Sequence, residues 1–186
     1  MQSLQNYFII ATPTLHDTFW ADSVIYVCDY GHKEGALGFM ISQPSTEITF
    51  NEVVKELEIP ARDCSQNQPI ILNGGPLESH RGFVLHDDGY SHESTLHLAP
   101  RIHLTATTEI ISKIAKGTAP KNFNFCLGYA GWDAGQLEEE IAENSWLMVE
   151  ADPKILYNIP ATKRHQACLD KLGIDRERIS MVAGHA

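Results

Sequence analysis

The chain has 186 residues, with 43% hydrophobic composition and a formal net charge of −10. That size and apolar content support one hydrophobic core without a metal or disulfide staple, and exclude a disordered or fibrous chain. The acidic balance opposes binding to phosphate backbones and anionic membranes, so direct nucleic-acid binding is not expected.

Residues 1–6 are polar and uncharged, and no apolar run approaches a membrane span. A soluble cytoplasmic location without a membrane partner is the expectation. Cys28, Cys64, Cys126 and Cys168 are scattered without CxxC pairing, which favours free thiols over a disulfide framework or zinc site.

In chain order, Tyr7-Phe8-Ile9-Ile10-Ala11 reads as a buried strand stopped by Thr12-Pro13. Residues 23–28 read as a second strand and residues 36–42 as a third. The turn between them, residues 30–35, suggests an antiparallel hairpin. Thr49-Phe50-Asn51-Glu52 has the spacing of a capping box and opens a short helix over residues 50–57. Residues 61–68 read as a polar loop. Strands follow at 69–72, 81–86, 95–98 and 102–105. Thr107 or Thr108 caps a second helix with Ile110, Ile111 and Ile114 on one face, ended by Lys116-Gly117. Residues 123–127 are a strand, and Asp133 and Gln136 suit the start of a helix reaching about Glu143. A strand at 146–149, a helix at 161–172 and a short apolar run at 179–182 complete the chain. The order lacks steady βαβ alternation. It predicts an α+β fold with a mixed, largely antiparallel sheet, in one domain over residues 1–186.

The best place to look for a site is Leu127-Gly128-Tyr129-Ala130-Gly131-Trp132, between a strand and a helix start. One reading is a pocket for a small anionic ligand at the helix N-terminus, walled by Tyr129 and Trp132. The other is a tight turn in which Gly128 and Gly131 allow close packing and Asp133 serves as the cap. No Lys-Ser/Thr pair follows, so a phosphate loop is disfavoured. The acidic cluster from Glu138 to Glu143 reads as a solvated helix face. Gln136 and Glu140 lie four apart and share a side.

A second glycine turn, Asn73-Gly74-Gly75-Pro76, precedes Arg81 and His86. If it lies beside the first, Arg81 could hold a carboxylate or phosphate in a bidentate grip; the competing reading is an internal salt bridge. Nine histidines invite a metal reading, but no HxxxH or HxxEH spacing occurs, and no metal or other cofactor is expected. Cys28 beside Asp29 and His32 is a candidate redox thiol, although the adjacent carboxylate opposes its ionisation.

Several motifs in order carry a family resemblance. They are Ser23-Val24-Ile25-Tyr26-Val27-Cys28, Gly35-Ala36-Leu37-Gly38-Phe39-Met40-Ile41, Gly74-Gly75-Pro76 and Arg81-Gly82-Phe83-Val84-Leu85-His86. Leu104-Thr105 with Thr107, Leu127 to Trp132, Gly135-Gln136-Leu137-Glu138 with Glu140, Asn144 and Trp146-Leu147, and Gly184-His185-Ala186 follow. Together they resemble the YqgE/AlgH family of bacterial proteins over nearly the full length. The resemblance implies a small α+β fold with a barrel-like, crossed-sheet core surrounded by short helices. It brings no established catalytic residues. Some members are described as regulators linked to alginate expression, and the label of transcriptional regulator has spread from there.

The chain departs from the family at three places. The family usually has Cys-Glu-His where Cys28-Asp29-Tyr30 stands, Asn where Ser42 stands, and Trp where His165 stands. The first departure weakens a thiol–imidazole role for Cys28. Two functions follow as expectations. One is a non-catalytic binding or regulatory module engaging a protein or small ligand through Gly74, Gly75, Arg81 and residues 128–132. The alternative is an enzyme for a small anionic substrate, anchored by Arg81, with Glu140, His86 or Cys28 as acid, base or nucleophile.

Overall fold

The computed structural model describes residues 3–60 and 69–175. The expected loop at 61–68, the apolar run at 179–182 and the closing Gly184-His185-Ala186 lie outside the described residues.

Among the described residues, nine strands and five α-helices form a curled, largely antiparallel sheet with short helices on both sides. The strands are β1 (Tyr7–Ala11), β2 (Val24–Gly31), β3 (Gly35–Met40), β4 (Ile71–Asn73), β5 (Leu77–His86), β6 (Leu96–Ala99), β7 (Ile102–Thr105), β8 (Phe123–Trp132) and β9 (Trp146–Glu150). The helices are α1 (Phe50–Glu56), α2 (Thr108–Ala115), α3 (Gln136–Ala142), α4 (Pro153–Asn158) and α5 (Arg164–Leu172). The strand order is β6-β7-β5-β8-β3-β2-β1-β9, and β4 pairs with β8 in parallel.

β8 joins the two halves of the sheet. Its first part, through Leu127, lies between β5 and β4. Its last part, Ala130 to Trp132, pairs with Gly38 to Ala36 of β3. The change falls at Gly128, whose φ of 71° lies in the left-handed region that only glycine enters freely. The segment expected as a glycine-rich turn is therefore strand, because the same residue that permits a turn also permits a bend within a ladder. The turn comes later, and Gly135 (φ 85°) occupies the N-cap of α3 in place of Asp133. The third strand ends at Met40 rather than residue 42.

Both faces of the sheet are covered, which accounts for strands that are apolar at nearly every position. Phe8, Ile10, Val24, Tyr26 and Phe39 pack on one side with α4 and α5. Ile9, Ile25, Val27 and Met40 face the opposite side with Trp132, Leu137 and Trp146. Phe50, Val53, Val54, Ile110, Ile111 and Ile114 bring α1 and α2 onto the other half, over Phe125 and Val84. The Thr49–Glu52 capping box forms as its spacing predicts, with reciprocal bonds between the two residues. Thr107 caps α2.

Candidate functional site

The two glycine segments are spatial neighbours. Gly74 donates its N–H to the Leu127 carbonyl at 2.8 Å and accepts from Met40 N–H at 2.8 Å, so it splices β3 to β8. A Cβ on Gly75 would run into the Tyr129 backbone, and one on Gly128 would meet the Gly75 and Leu77 carbonyls. These glycines make close backbone packing.

Arg81 lies on the outer surface, where its Nη1 bonds Glu78 Oε2 at 3.0 Å with both side chains about half exposed. Its guanidinium also rests 5.1 Å from the Phe83 ring centre. Tyr129 donates to the other Glu78 oxygen at 3.5 Å. Arg81, Glu78 and Tyr129 thus form one surface cluster over the buried Phe83 ring. Trp132 points to the opposite face of β8 and belongs to a different cluster. Its indole stacks near Trp20 at 6.3 Å and meets Trp146 edge-on. Trp132 Nε1 and Trp146 Nε1 both donate to Glu140 Oε2, and Gln136 Nε2 donates to Glu140 Oε1 at 2.9 Å.

His86 is fully buried. Its Nδ1 lies 2.8 Å from the Asp87 carbonyl, which can only accept, so Nδ1 carries the proton. Its Nε2 then accepts from the Thr105 hydroxyl at 2.9 Å, and Thr95 and the His92 N–H extend the chain. Burial pushes the imidazole below its usual range, more than the Asp87 carbonyl raises it. Cys28 is buried too, with its Sγ donating to the Leu37 carbonyl at 3.4 Å. Burial, with Asp29 beside it, pushes the thiol up to about 12, away from the thiolate that redox reactivity needs.

The three departures noted in the sequence have defined places. Tyr30 donates to Glu138 Oε1 at 2.7 Å, tying β2 to α3, and this bond holds the Glu138 carboxyl below its usual range. Ser42 and His165 line one cleft of about 360 Å³, together with Asp22, Gln43, Pro44, Thr162 and Gln166. Within it, Ser42 Oγ accepts from Val24 N–H at 2.8 Å and His165 Nε2 donates to the Ala11 carbonyl at 3.0 Å.

A titratable cluster that the sequence did not single out lies beside His86. His97 and His103 are direct cross-strand partners on β6 and β7. Their Nδ1 atoms are 3.0 Å apart, and His103 Nε2 bonds Asp88 Oδ1 at 2.7 Å. A spacing of six residues carries no helical ligand signal; only the hairpin register brings the rings together. Among the described residues no group of three or more His, Cys, Asp and Glu side chains converges on a metal-sized point. No helix among them is long and apolar enough to cross a membrane.

Comparison with known proteins agrees with this architecture. The AlgH-like family model matches residues 8–177. A UPF0301 protein of Saccharophagus degradans is 45% identical, covering 99% of this chain and 89% of its own. A UPF0301 protein of Pseudoalteromonas translucida is 38% identical with full coverage of both chains. The solution structure of the AlgH protein from Pseudomonas aeruginosa superposes with a TM-score of 0.80 at 37% identity, covering 100% of this chain and 95% of that one. A crystal structure from Corynebacterium diphtheriae shares the fold at a TM-score of 0.71 and 19% identity, covering 92% of this chain and 88% of its own. The curled sheet spliced at Gly74 and Gly128, and the match over nearly every described residue, place this chain in the AlgH-like family.

Proposed function

We propose that this protein is a non-catalytic binding module that engages a protein partner through the first half of β5. One observation carries the reading. Residues 77–81 are all exposed, and the β5–β8 ladder is interrupted between Leu77 and Gly82. Leu77 faces solvent at 44% exposure, beside the Arg81–Glu78 pair and Tyr129. An apolar side chain flanked by Arg and Tyr is the composition of protein interfaces. The break in register bows this segment away from the regular ladder, as β-bulges do at sites of contact. A regulatory role would act through such a contact, since the net charge of −10 repels a phosphate backbone.

The enzyme reading has less support. It needs Arg81 and a titratable group around a hollow, whereas Arg81 is engaged by Glu78 at the surface and Trp132 fills the opposite face.

The test is a photo-activatable cross-linker placed at Leu77, with Lys33 as an exposed control, in bacterial cells expressing the full chain. The expected result is a discrete adduct from position 77 that disappears with Arg81→Glu and does not arise from position 33. An adduct pattern shared by both positions, or one indifferent to Arg81→Glu, overturns the reading. A thermal-shift screen against small anions covers the ligand alternative: stabilisation lost in Arg81→Ala would favour it over a protein partner.

A further inference from the structure

The His97–His103 pair carries chemistry that the surface of β5 does not. His103 Nε2 lies 2.7 Å from Asp88 Oδ1, and it donates its N–H to that carboxylate oxygen. That leaves His103 Nδ1 with a lone pair. His97 Nδ1 faces it at 3.0 Å, with the ring planes 75° apart and the ring centres at 4.6 Å. The 3.0 Å separation is a hydrogen bond between the two Nδ1 atoms, and with both rings as neutral tautomers and His103 donating from Nε2 its proton sits on His97 Nδ1. His97 is exposed, so its Nε2 is free to take that proton in contact with water.

A carboxylate that anchors the far nitrogen of an imidazole is the usual outer support of a metal-bound histidine; it fixes the tautomer and raises ligand basicity. Here Asp88 supplies it, and β7 holds His103 rigidly, with only 10% of its side chain exposed. Two metal–nitrogen bonds of roughly 2.1 Å span the observed 3.0 Å separation at about a right angle. That is the cis angle of square-planar and octahedral centres, and it is too narrow for a tetrahedral one. His86, the third ring of the cluster, has both nitrogens engaged by Asp87 and Thr105 and contributes no ligand.

We propose that His97 and His103 form a two-nitrogen site for a divalent transition metal with cis positions, copper(II) or nickel(II), completed by water. On binding, the His97 proton moves from Nδ1 to Nε2. The site lies on the β6–β7 hairpin, and it is independent of the partner surface on the first half of β5.

The experiment is titration of the full-length protein with copper(II), followed by electron paramagnetic resonance. The expected spectrum shows two equivalent nitrogen couplings at one equivalent of copper. His97→Gln, on an exposed edge strand, preserves the far-UV circular dichroism, loses one nitrogen coupling and weakens binding by at least about tenfold; Asp88→Asn weakens it by roughly 10- to 100-fold. His80→Gln, at another exposed histidine, leaves affinity unchanged. Unchanged copper affinity in His97→Gln, absence of stoichiometric binding by the parent protein, or equal losses in His97→Gln and His80→Gln would overturn the proposal. Equal losses would mark scattered surface histidines rather than a built pair.

Discussion

Trp132 and Trp146 donate their indole N–H groups to the same carboxylate oxygen of Glu140, at 2.9 and 2.7 Å. One side chain of α3 thereby pins the ends of β8 and β9. Both indoles are nearly buried, so removal of the acceptor leaves two donors without a partner. Each orphaned donor costs about 1–3 kcal/mol, which predicts a loss of about 2–6 kcal/mol for Glu140→Ala in urea unfolding. Glu140→Gln retains one carbonyl oxygen for the indoles and loses less. A Glu140→Ala protein as stable as the parent would mean that water replaces the carboxylate, and the pinning role would fall.

Arg81 should matter little to stability. Its bond to Glu78 lies on the surface, where solvent screens the pair and side-chain entropy offsets most of the attraction. Arg81→Ala is expected to change the unfolding free energy by less than about 1 kcal/mol, including the contact with the Phe83 ring. Charge reversal at the same position, Arg81→Glu, is the change that disturbs the proposed partner surface. A large stability loss would reassign Arg81 to a structural role.

Gly75 and Gly117 both have positive φ, at 150° and 71°, but different surroundings. A Cβ at Gly75 collides with the Tyr129 backbone, which the β8 ladder holds in place; nothing lies within 4 Å of one at Gly117. Gly75→Ala is therefore expected to cost on the order of 3 kcal/mol or to prevent folding, through steric strain against a fixed backbone. Gly117→Ala should cost only about 1 kcal/mol, the backbone term of the left-handed region. Equal losses in the two variants would show that the splice at Gly74–Gly75 and Gly128 yields more readily than its geometry implies.

Local signals were legible in the sequence, and non-local ones were not. Thr49 and Glu52 determine each other across three residues, and their capping box forms. The Ile110, Ile111 and Ile114 stripe likewise carries its own period. Gly128 shows where such reasoning runs out. Glycine marks turns and strand bends alike, and only the presence of β3 as a new partner makes this one a bend. Asp152 and Pro153 are a local cap and first-turn proline for α4, a signal as legible as the Thr49 box. The nearness of the two glycine segments, which the sequence leaves open, comes from β4 and β5 both flanking β8. The placing of Trp132 against Trp146, and of His97 against His103, depends on strand register that no single segment encodes.

His86 gives the fold a defined response to acid. Burial holds its folded-state protonation below the usual histidine range, and its Nε2 is occupied by the Thr105 hydroxyl. In the unfolded chain the imidazole returns to the ordinary value of about 6.5. Between the depressed folded value and the unfolded one, the unfolded state binds the extra proton. Stability therefore rises with pH across that window and falls as the solution is acidified through it. Above the unfolded value both states are neutral and the contribution is constant. The melting temperature of the parent protein, followed from pH 8 downward, should decline below about 6.5. His86→Gln keeps a polar side chain beside Thr105 but cannot titrate, so its profile over the same range should be flatter, whatever its absolute stability. Parallel profiles for the two proteins would place the acid sensitivity on other groups and leave the buried imidazole as a hydrogen-bonding element alone.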